Sequence, residues 1–468
     1  MENTSRESFG GIPLKFDVIV VGAGTAGCMT AKAAAEAGLE VGLIDRKPKE
    51  KIGEKICGNA IGKHHFDTLG LKHPSGDELQ SRIAGVKIYS PDMETVFQIE
   101  SERLYGFIVD RLLFGQRLLR LALDAGATLL DSTLVVEPAL KDNAVIGVSA
   151  RNIRTETKMA LQGKVVVDAS GFFAVLRKKL PPEIRVETKV SSEDVEACYR
   201  EIRQLREQTT SPDFCEIYLD QKIAPGGYYW IFPEGETRTN VGVGVRMTRD
   251  FPKPKNQLYG KVLSTSMFRD STQITGGAWC VPTRRPLDCM VGNGIVLVGD
   301  SACQVNPIHG GGMGPSLMGG VFAGQTVAEA LEKGVVTRES LWQYNVRYMH
   351  SYGVKQAGLD IFRLFLLHGV SNEEINYGMR YQLITEEDIL KTSMGENVRL
   401  NITDTARRAL KGLGKLSMLR RLRNAAKLMR EIKALYKDYP DSPDGFEEWR
   451  KKTHELMTTA NHLLARKK

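Results

Sequence analysis

No apolar run among these 468 residues reaches the ~18 that a membrane-spanning helix needs. Secretory character is missing too: Met1 to Pro13 is polar, with Gly10, Gly11 and Pro13, and reads as a loose leader rather than a signal peptide. The seven cysteines (Cys28, Cys57, Cys198, Cys215, Cys280, Cys289, Cys303) are odd in number and scattered, and none forms a CxxC pair. That argues against a disulfide framework, a zinc site or an iron-sulfur cluster, and predicts a cytoplasmic chain in a reducing compartment with no metal. Net positive charge is missing outside the tail. Of the overall +8, residues 406–468 carry 17 Lys and Arg against 7 Asp and Glu, which leaves the remainder close to neutral. No nucleic-acid partner is expected from that distribution.

What is present begins with Phe16 to Asp45. An apolar run, Val18-Ile19-Val20-Val21, leads into Gly22-Ala23-Gly24-Thr25-Ala26-Gly27, a small-residue segment from Met29 to Gly38, and a second apolar run closed by Asp45. This is the pattern of a buried parallel strand, a GxGxxG turn, a helix and a second strand. Gly22 permits the tight turn, Gly24 lets a pyrophosphate approach the backbone, and Gly27 lets helix and strand lie close, with the helix's free amides facing the anion. Asp45 stands where a carboxylate accepts hydrogen bonds from a ribose and repels a 2′ phosphate.

Further along, Lys47 to Gly62 mixes glycine and charge and reads as a loop at the carboxyl end of the sheet, where open α/β folds place their ligands; within it Cys57-Gly58 stands apart from the other cysteines. Gly85 to Glu100 reads as two antiparallel strands turning at Pro91-Asp92. Arg111 opens a leucine-rich helix at a place suited to phosphate or ring oxygens. Lys164 to Gly171 and Gly294 to Ala302 are further buried strands ending in small-residue turns. The second is followed by Asn306 to Gly314, a glycine-rich loop, and a helix from Pro315 to Leu331, an arrangement that favours anions; Asp300 is placed to hold cofactor hydroxyls, and His309 reads as structural.

Between these strands the segment from Pro181 to Gly276 is polar, turn-rich and strand-like, an inserted antiparallel unit. It carries Gly227-Tyr228-Tyr229-Trp230-Ile231-Phe232-Pro233 and then Gly242-Val243-Gly244. In a strand Tyr228, Trp230 and Phe232 share one face, either as ordinary core or as the wall of a hydrocarbon pocket. The expected fold is therefore α/β: a Rossmann-type dinucleotide domain from 16–85, 108–180 and 277–335, a substrate domain from 86–107 and 181–276, a leader over 1–15 and a helical region over 336–468. In the tail, Met418, Leu422, Ala425, Met429, Ile432 and Tyr436 recur at helical spacing, with Arg423, Lys427, Arg430 and Lys433 available to a wetter face. Such a helix either docks on the protein or lies on an anionic membrane surface.

Taken together, the glycine fingerprint, the Arg111 helix, Asp168-Ala169-Ser170-Gly171 and Gly299-Asp300 with its glycine loop resemble the para-hydroxybenzoate-hydroxylase class of FAD proteins. Within that class, Tyr-x-Trp-x-Phe-Pro, eight residues and Gly-x-Gly, with Cys57-Gly58, is similar to the geranylgeranyl reductases, in particular the archaeal digeranylgeranylglycerophospholipid reductases. The resemblance implies noncovalent FAD, an external donor such as NAD(P)H or a ferredoxin-like protein, and saturation of isoprenoid double bonds on archaeal ether lipids. It places cofactor contacts at Gly22, Gly24, Ala26, Gly27, Asp45, Arg46, Cys57, Gly58, Arg111, Gly171, Asp300, Gly311, Gly312 and Met313. Lipid contacts fall to Tyr228, Trp230 and Phe232, and catalytic roles to Cys57, Tyr228 and Trp230. Two rival readings share the framework: an FAD monooxygenase or halogenase acting on a small aromatic, whose Trp-x-Trp-x-Ile-Pro hallmark differs from the letters here, and a lipid carrier retaining FAD as a relic.

Overall fold

The computed structural model describes residues 14–102, 104–396 and 412–465. The leader expected over 1–15 lies outside these residues except for its last two positions.

The β-branched run Leu14–Val21 forms the middle of an eight-stranded sheet, with Lys158–Asp168 on one side and Val41–Ile44 on the other, all parallel. Ile295–Leu297 and Thr128–Leu130 continue the parallel order outward. Val18, Ile19 and Val20 have no exposure at all, as a strand covered on both faces requires. Register decides where the site falls. Val21 stands opposite both Ile44 and Asp168, and Asp168 opposite Leu297, so the carboxyl ends of four strands finish level. That rim is where this class of sheet accepts ligands.

The second sheet has seven strands in the order Thr272–Val281, Glu196–Gln204, Arg238–Arg246, Tyr228–Pro233, Phe214–Tyr218, Gly85–Tyr89, Val96–Glu100. It is antiparallel except at one place, where Phe214–Tyr218 runs parallel to Gly85–Tyr89, so the expected antiparallel sheet is in fact mixed. A parallel pair is possible because the two segments are joined by a long excursion through the first domain rather than by a hairpin. A third, three-stranded sheet unites Ala60–Gly62, Gly106–Val109 and Leu79–Ile83. The end of the expected 47–62 loop is thus a strand, its bonding supplied by a partner more than 40 residues away in sequence.

Helices complete the C-terminal region, among them Val354–Gly369, Leu416–Lys437 and Phe446–Leu464. The last two dock on the body of the protein. Trp342 donates to the carbonyl of Pro440 at 2.7 Å, Tyr439 donates to that of Asp288 at 2.8 Å, and Phe446 and Trp449 pack around them. In Leu416–Lys437 the buried face holds Met418, Ala425, Leu428, Ile432 and Tyr436. Lys433, expected on the wet face, is buried: its stem lies under Gly358 and Nζ donates to the carbonyls of Gly395 and Glu396 at 3.0 and 3.1 Å. A cation with carbonyl acceptors tolerates a site that helical spacing assigns to water. Arg423, Lys427 and Arg430 are exposed, as expected. Among the described residues no helix is long and apolar enough to cross a membrane.

Candidate active site

One cavity of about 1100 Å³ runs from the carboxyl rim of the parallel sheet to the aromatic strand of the seven-stranded sheet. All the site residues expected from sequence line it except Gly27. Gly27 serves from behind: a Cβ there would stand 1.8 Å from the carbonyl oxygen of Gly22, so only glycine lets the helix Thr25–Glu36 approach the strand. Gly22 itself has φ of +106°, the left-handed region. By contrast a Cβ at Gly24 would meet nothing within 4 Å, because that position opens onto the cavity.

Asp45 is already engaged. Its two oxygens accept from the amides of Ala23 and Lys47, each at 2.8 Å, which fastens the glycine turn to the end of the second strand and leaves each oxygen a lone pair for a ligand hydroxyl. Arg111 is held in the first turn of Arg111–Asp124, whose N-cap Asp110 accepts from the amide of Leu113 at 2.8 Å. Only 7% of Arg111 is exposed, and its Nε and Nη1 have no hydrogen-bond partner among the described residues. A buried cation with idle donors beside a glycine turn matches an anionic group such as pyrophosphate, and this is the test by which the residues fit FAD. Across the cavity Asp300 accepts from Lys55 at 2.8 Å, a residue that sequence reasoning passed over, and Arg46 lies over the Phe173 ring at 5.6 Å.

The aromatic row is as the strand period requires. Ring centroids of Tyr228 and Trp230 are 5.9 Å apart, those of Trp230 and Phe232 6.2 Å, while Tyr229 turns to the opposite face and stacks on Tyr218 at 4.4 Å. The spacing to Gly-x-Gly has a register explanation: antiparallel pairing sets Trp230 opposite Gly242 and Tyr228 opposite Gly244. Gly242 leaves room for the indole, and a Cβ at Gly244 would stand 3.4 Å from both the Cys198 sulfur and the Glu196 carboxyl. The indole donates to Asn240 at 3.0 Å, and the Tyr228 hydroxyl donates to the carbonyl of His309 at 2.7 Å, tying the sheet to the glycine loop.

Cys57 and Gly58 lie against this row; a Cβ on Gly58 would come within 3.0 Å of the Phe232 ring. The Cys57 carbonyl accepts from Arg200 at 3.1 Å and from Asn240 at 2.9 Å, so residues of the second sheet hold the loop in place. Arg200, Asn240, Lys55, Glu196, His64, His65 and Lys355 were not legible as site residues. Glu196 and Arg200 alone carried a signal, alternation: with Cys198 they share a strand face directed at the cavity. Burial, with His64 and Lys355 nearby, pushes the His65 imidazole down to about 3, and burial with Lys355 pushes His309 down to about 4, so both rings are neutral at pH 7. Burial lowers Lys355 too, and among the described residues its ammonium has no hydrogen bond or ion pair.

Residues 17–178 match the FAD dependent oxidoreductase model and residues 194–278 the geranylgeranyl reductase catalytic domain. A digeranylgeranylglycerophospholipid reductase from Sulfolobus acidocaldarius is 40% identical over 455 residues, 97% of this chain and 99% of that one. The chain belongs to the digeranylgeranylglycerophospholipid reductase family. A member from Methanothrix thermoacetophila is 30% identical, covering 83% of this chain and 96% of its own. In shape the family member described here is similar to a geranylgeranyl bacteriochlorophyll reductase-like protein from Thermoplasma acidophilum, with a TM-score of 0.73 at 22% identity over 88% of this chain and all of that one. A myxobacterial chondrochloren halogenase has the same fold more remotely, with a TM-score of 0.60 at 17% identity over 93% of this chain and 99% of its own. FAD is thus the cofactor of this reductase-family chain, and the idle donors of Arg111 suit its pyrophosphate.

Proposed function

We propose that this protein reduces the carbon-carbon double bonds of geranylgeranyl chains on an archaeal ether phospholipid. The observation that carries the reading is the continuity of the cavity: the glycine turns and the aromatic row open into one space, so an alkene resting on Trp230 is within the same enclosure as the cofactor. Gly22, Gly24, Asp45, Arg111 and Asp300 would hold FAD, which when bound and reduced supplies hydride. Beyond the aromatic row the cavity continues between Ile83, Val86, Ile88, Ile99 and Leu104, an apolar end suited to an isoprenoid tail, while Lys355 gives another part of it a cation suited to a phosphate. The electrons come from an external donor, NAD(P)H or a ferredoxin-like protein, and the exposed Arg423, Lys427 and Arg430 support peripheral contact with an anionic membrane.

An isoprenoid alkene carries no electron-withdrawing group, so hydride addition alone would leave an unstabilised carbanion. Proton delivery must lead or accompany it, and the carbon that receives hydride gains cationic character. The faces of Tyr228 and Trp230 stabilise such charge by about 1–2 kcal/mol in a dry site. Purified protein, chemically reduced without oxygen and mixed with an unsaturated archaeal-type phospholipid, should yield products heavier by the mass of two hydrogens per event. Unchanged lipid would refute the reading, and aerobic hydroxylation or halogenation of a small aromatic would support the rival one.

A further inference from the structure

The reaction just proposed needs a proton inside an apolar cavity, and the sequence did not disclose its source. Among the described residues four carboxyl side chains line the cavity: Asp45, Glu54, Asp300 and Glu196. Asp45 is committed to two backbone amides and Asp300 to Lys55, and Glu54 is exposed. His65 and His309 are neutral, and burial lifts the Cys198 thiol and the Tyr228 phenol far above neutrality.

Glu196 differs from all of these. It opens the strand Glu196–Gln204, is 4% exposed, and has one buried oxygen, Oε1, with no hydrogen-bond partner among the described residues. Its other oxygen lies 3.4 Å from where a Cβ on Gly244 would be, so the second glycine of Gly-x-Gly leaves the carboxyl uncovered. Gly244 is paired with Tyr228, whose hydroxyl reaches the glycine loop, which places Glu196 beside the junction of lipid and cofactor spaces.

We propose, resting on the function above, that Glu196 is the catalytic acid that protonates the alkene. The carboxyl O–H bond breaks as a C–H bond forms at the less substituted carbon; the hydride of the reduced cofactor completes the second C–H bond, the π electrons are consumed, and Glu196 is left as a carboxylate that regains its proton from water. Burial raises the Glu196 carboxyl to about 8, so the acid form is the resting form at neutral pH. The groups facing it do not reverse this. Arg363, on Val354–Gly369, favours the carboxylate but is already bound by Asp360 and Asp194, each at 2.8 Å. Arg246, its register partner, is engaged by Glu193 at 2.8 Å, and Tyr228 and Cys198 are titratable groups that interact with it.

The test uses FAD-loaded protein, wild type and Glu196→Gln, an isosteric change that keeps the neutral form's shape. In the infrared spectrum of the oxidised protein the C=O stretch of a buried protonated carboxyl should be present below about pH 8, fade above it, and be missing from the variant. In single turnovers of chemically reduced protein with a digeranylgeranylglycerol phosphate lipid, the variant should be slower by about 100-fold or more with lipid Kd and FAD content unchanged. The wild-type rate should fall as pH rises through about 8, and the variant's residual rate should be flat. A variant within threefold of wild type, a carboxyl band that survives the substitution, or a wild-type rate unchanged to pH 9.5 overturns the proposal. If the wild type itself saturates nothing, the functional reading fails first and the proposal with it; if the wild type works and the variant matches it, only the proposal fails.

Discussion

The pairing of Trp230 with Gly242 makes the Gly-x-Gly spacing a packing statement, and Gly242→Ala tests it. A Cβ at 242 would stand 2.3 Å from Cζ2 and 2.6 Å from Cη2 of Trp230, and 2.7 Å from Cβ of Arg200. Ordinary carbon contacts begin near 3.5 Å, so the indole must retreat by about 1 Å. It is 93% buried and donates to Asn240 at 3.0 Å, so it cannot retreat without losing that bond or pressing on Phe232. Overpacking costs about 1–3 kcal/mol and the stranded indole donor about 1 kcal/mol more, giving a loss of about 2–4 kcal/mol. Urea unfolding followed by circular dichroism reads that loss as a lower midpoint at unchanged slope. Because the free direction for the ring is toward the cavity, binding of a C20 isoprenoid lipid should weaken as well. A variant within about 0.5 kcal/mol of wild type, with unaltered lipid affinity, would show that the glycine is not there to seat the indole.

Arg111→Ala removes a buried cation that has idle donors, so FAD affinity measured by fluorescence titration should fall at least about tenfold while the apoprotein is no less stable, because an uncompensated charge has gone. Unchanged affinity would refute the assignment of Arg111 to the pyrophosphate. Glu196 also predicts a stability profile. Its pKa is raised from 4.5 to about 8, so the folded state binds more protons than the unfolded state between those values, and stability falls as pH rises through that window by on the order of 5 kcal/mol. Glu196→Gln should abolish this component, gaining on wild type in urea melts at pH 9 relative to pH 4; parallel profiles would contradict the raised pKa. Reversing Arg423, Lys427 and Arg430 to Glu should abolish sedimentation with anionic vesicles and leave the fold intact, since all three are exposed. Binding that ignores both salt and this reversal would exclude the basic face as the membrane contact.

By itself the sequence determined what depends on neighbours along the chain. The strand, glycine turn, helix and second strand of 16–45 are one contiguous unit, and each residue's demand, such as Gly27 for close packing, is local enough to be read from spacing. The alternation of Tyr228, Trp230 and Phe232 follows from the two-residue period of a strand in the same way. Tertiary structure decided what depends on pairings between distant segments. Lys55 meets Asp300 across 245 positions, and Arg200 reaches Cys57 across 143. Lys433 lies buried on a face that helical periodicity gives to solvent, because carbonyls from another segment receive it. The raised pKa of Glu196 is the clearest case: strand alternation shows only that it shares a face with Cys198 and Arg200, and burial in the folded protein, which no local spacing discloses, removes the water that would keep it ionised.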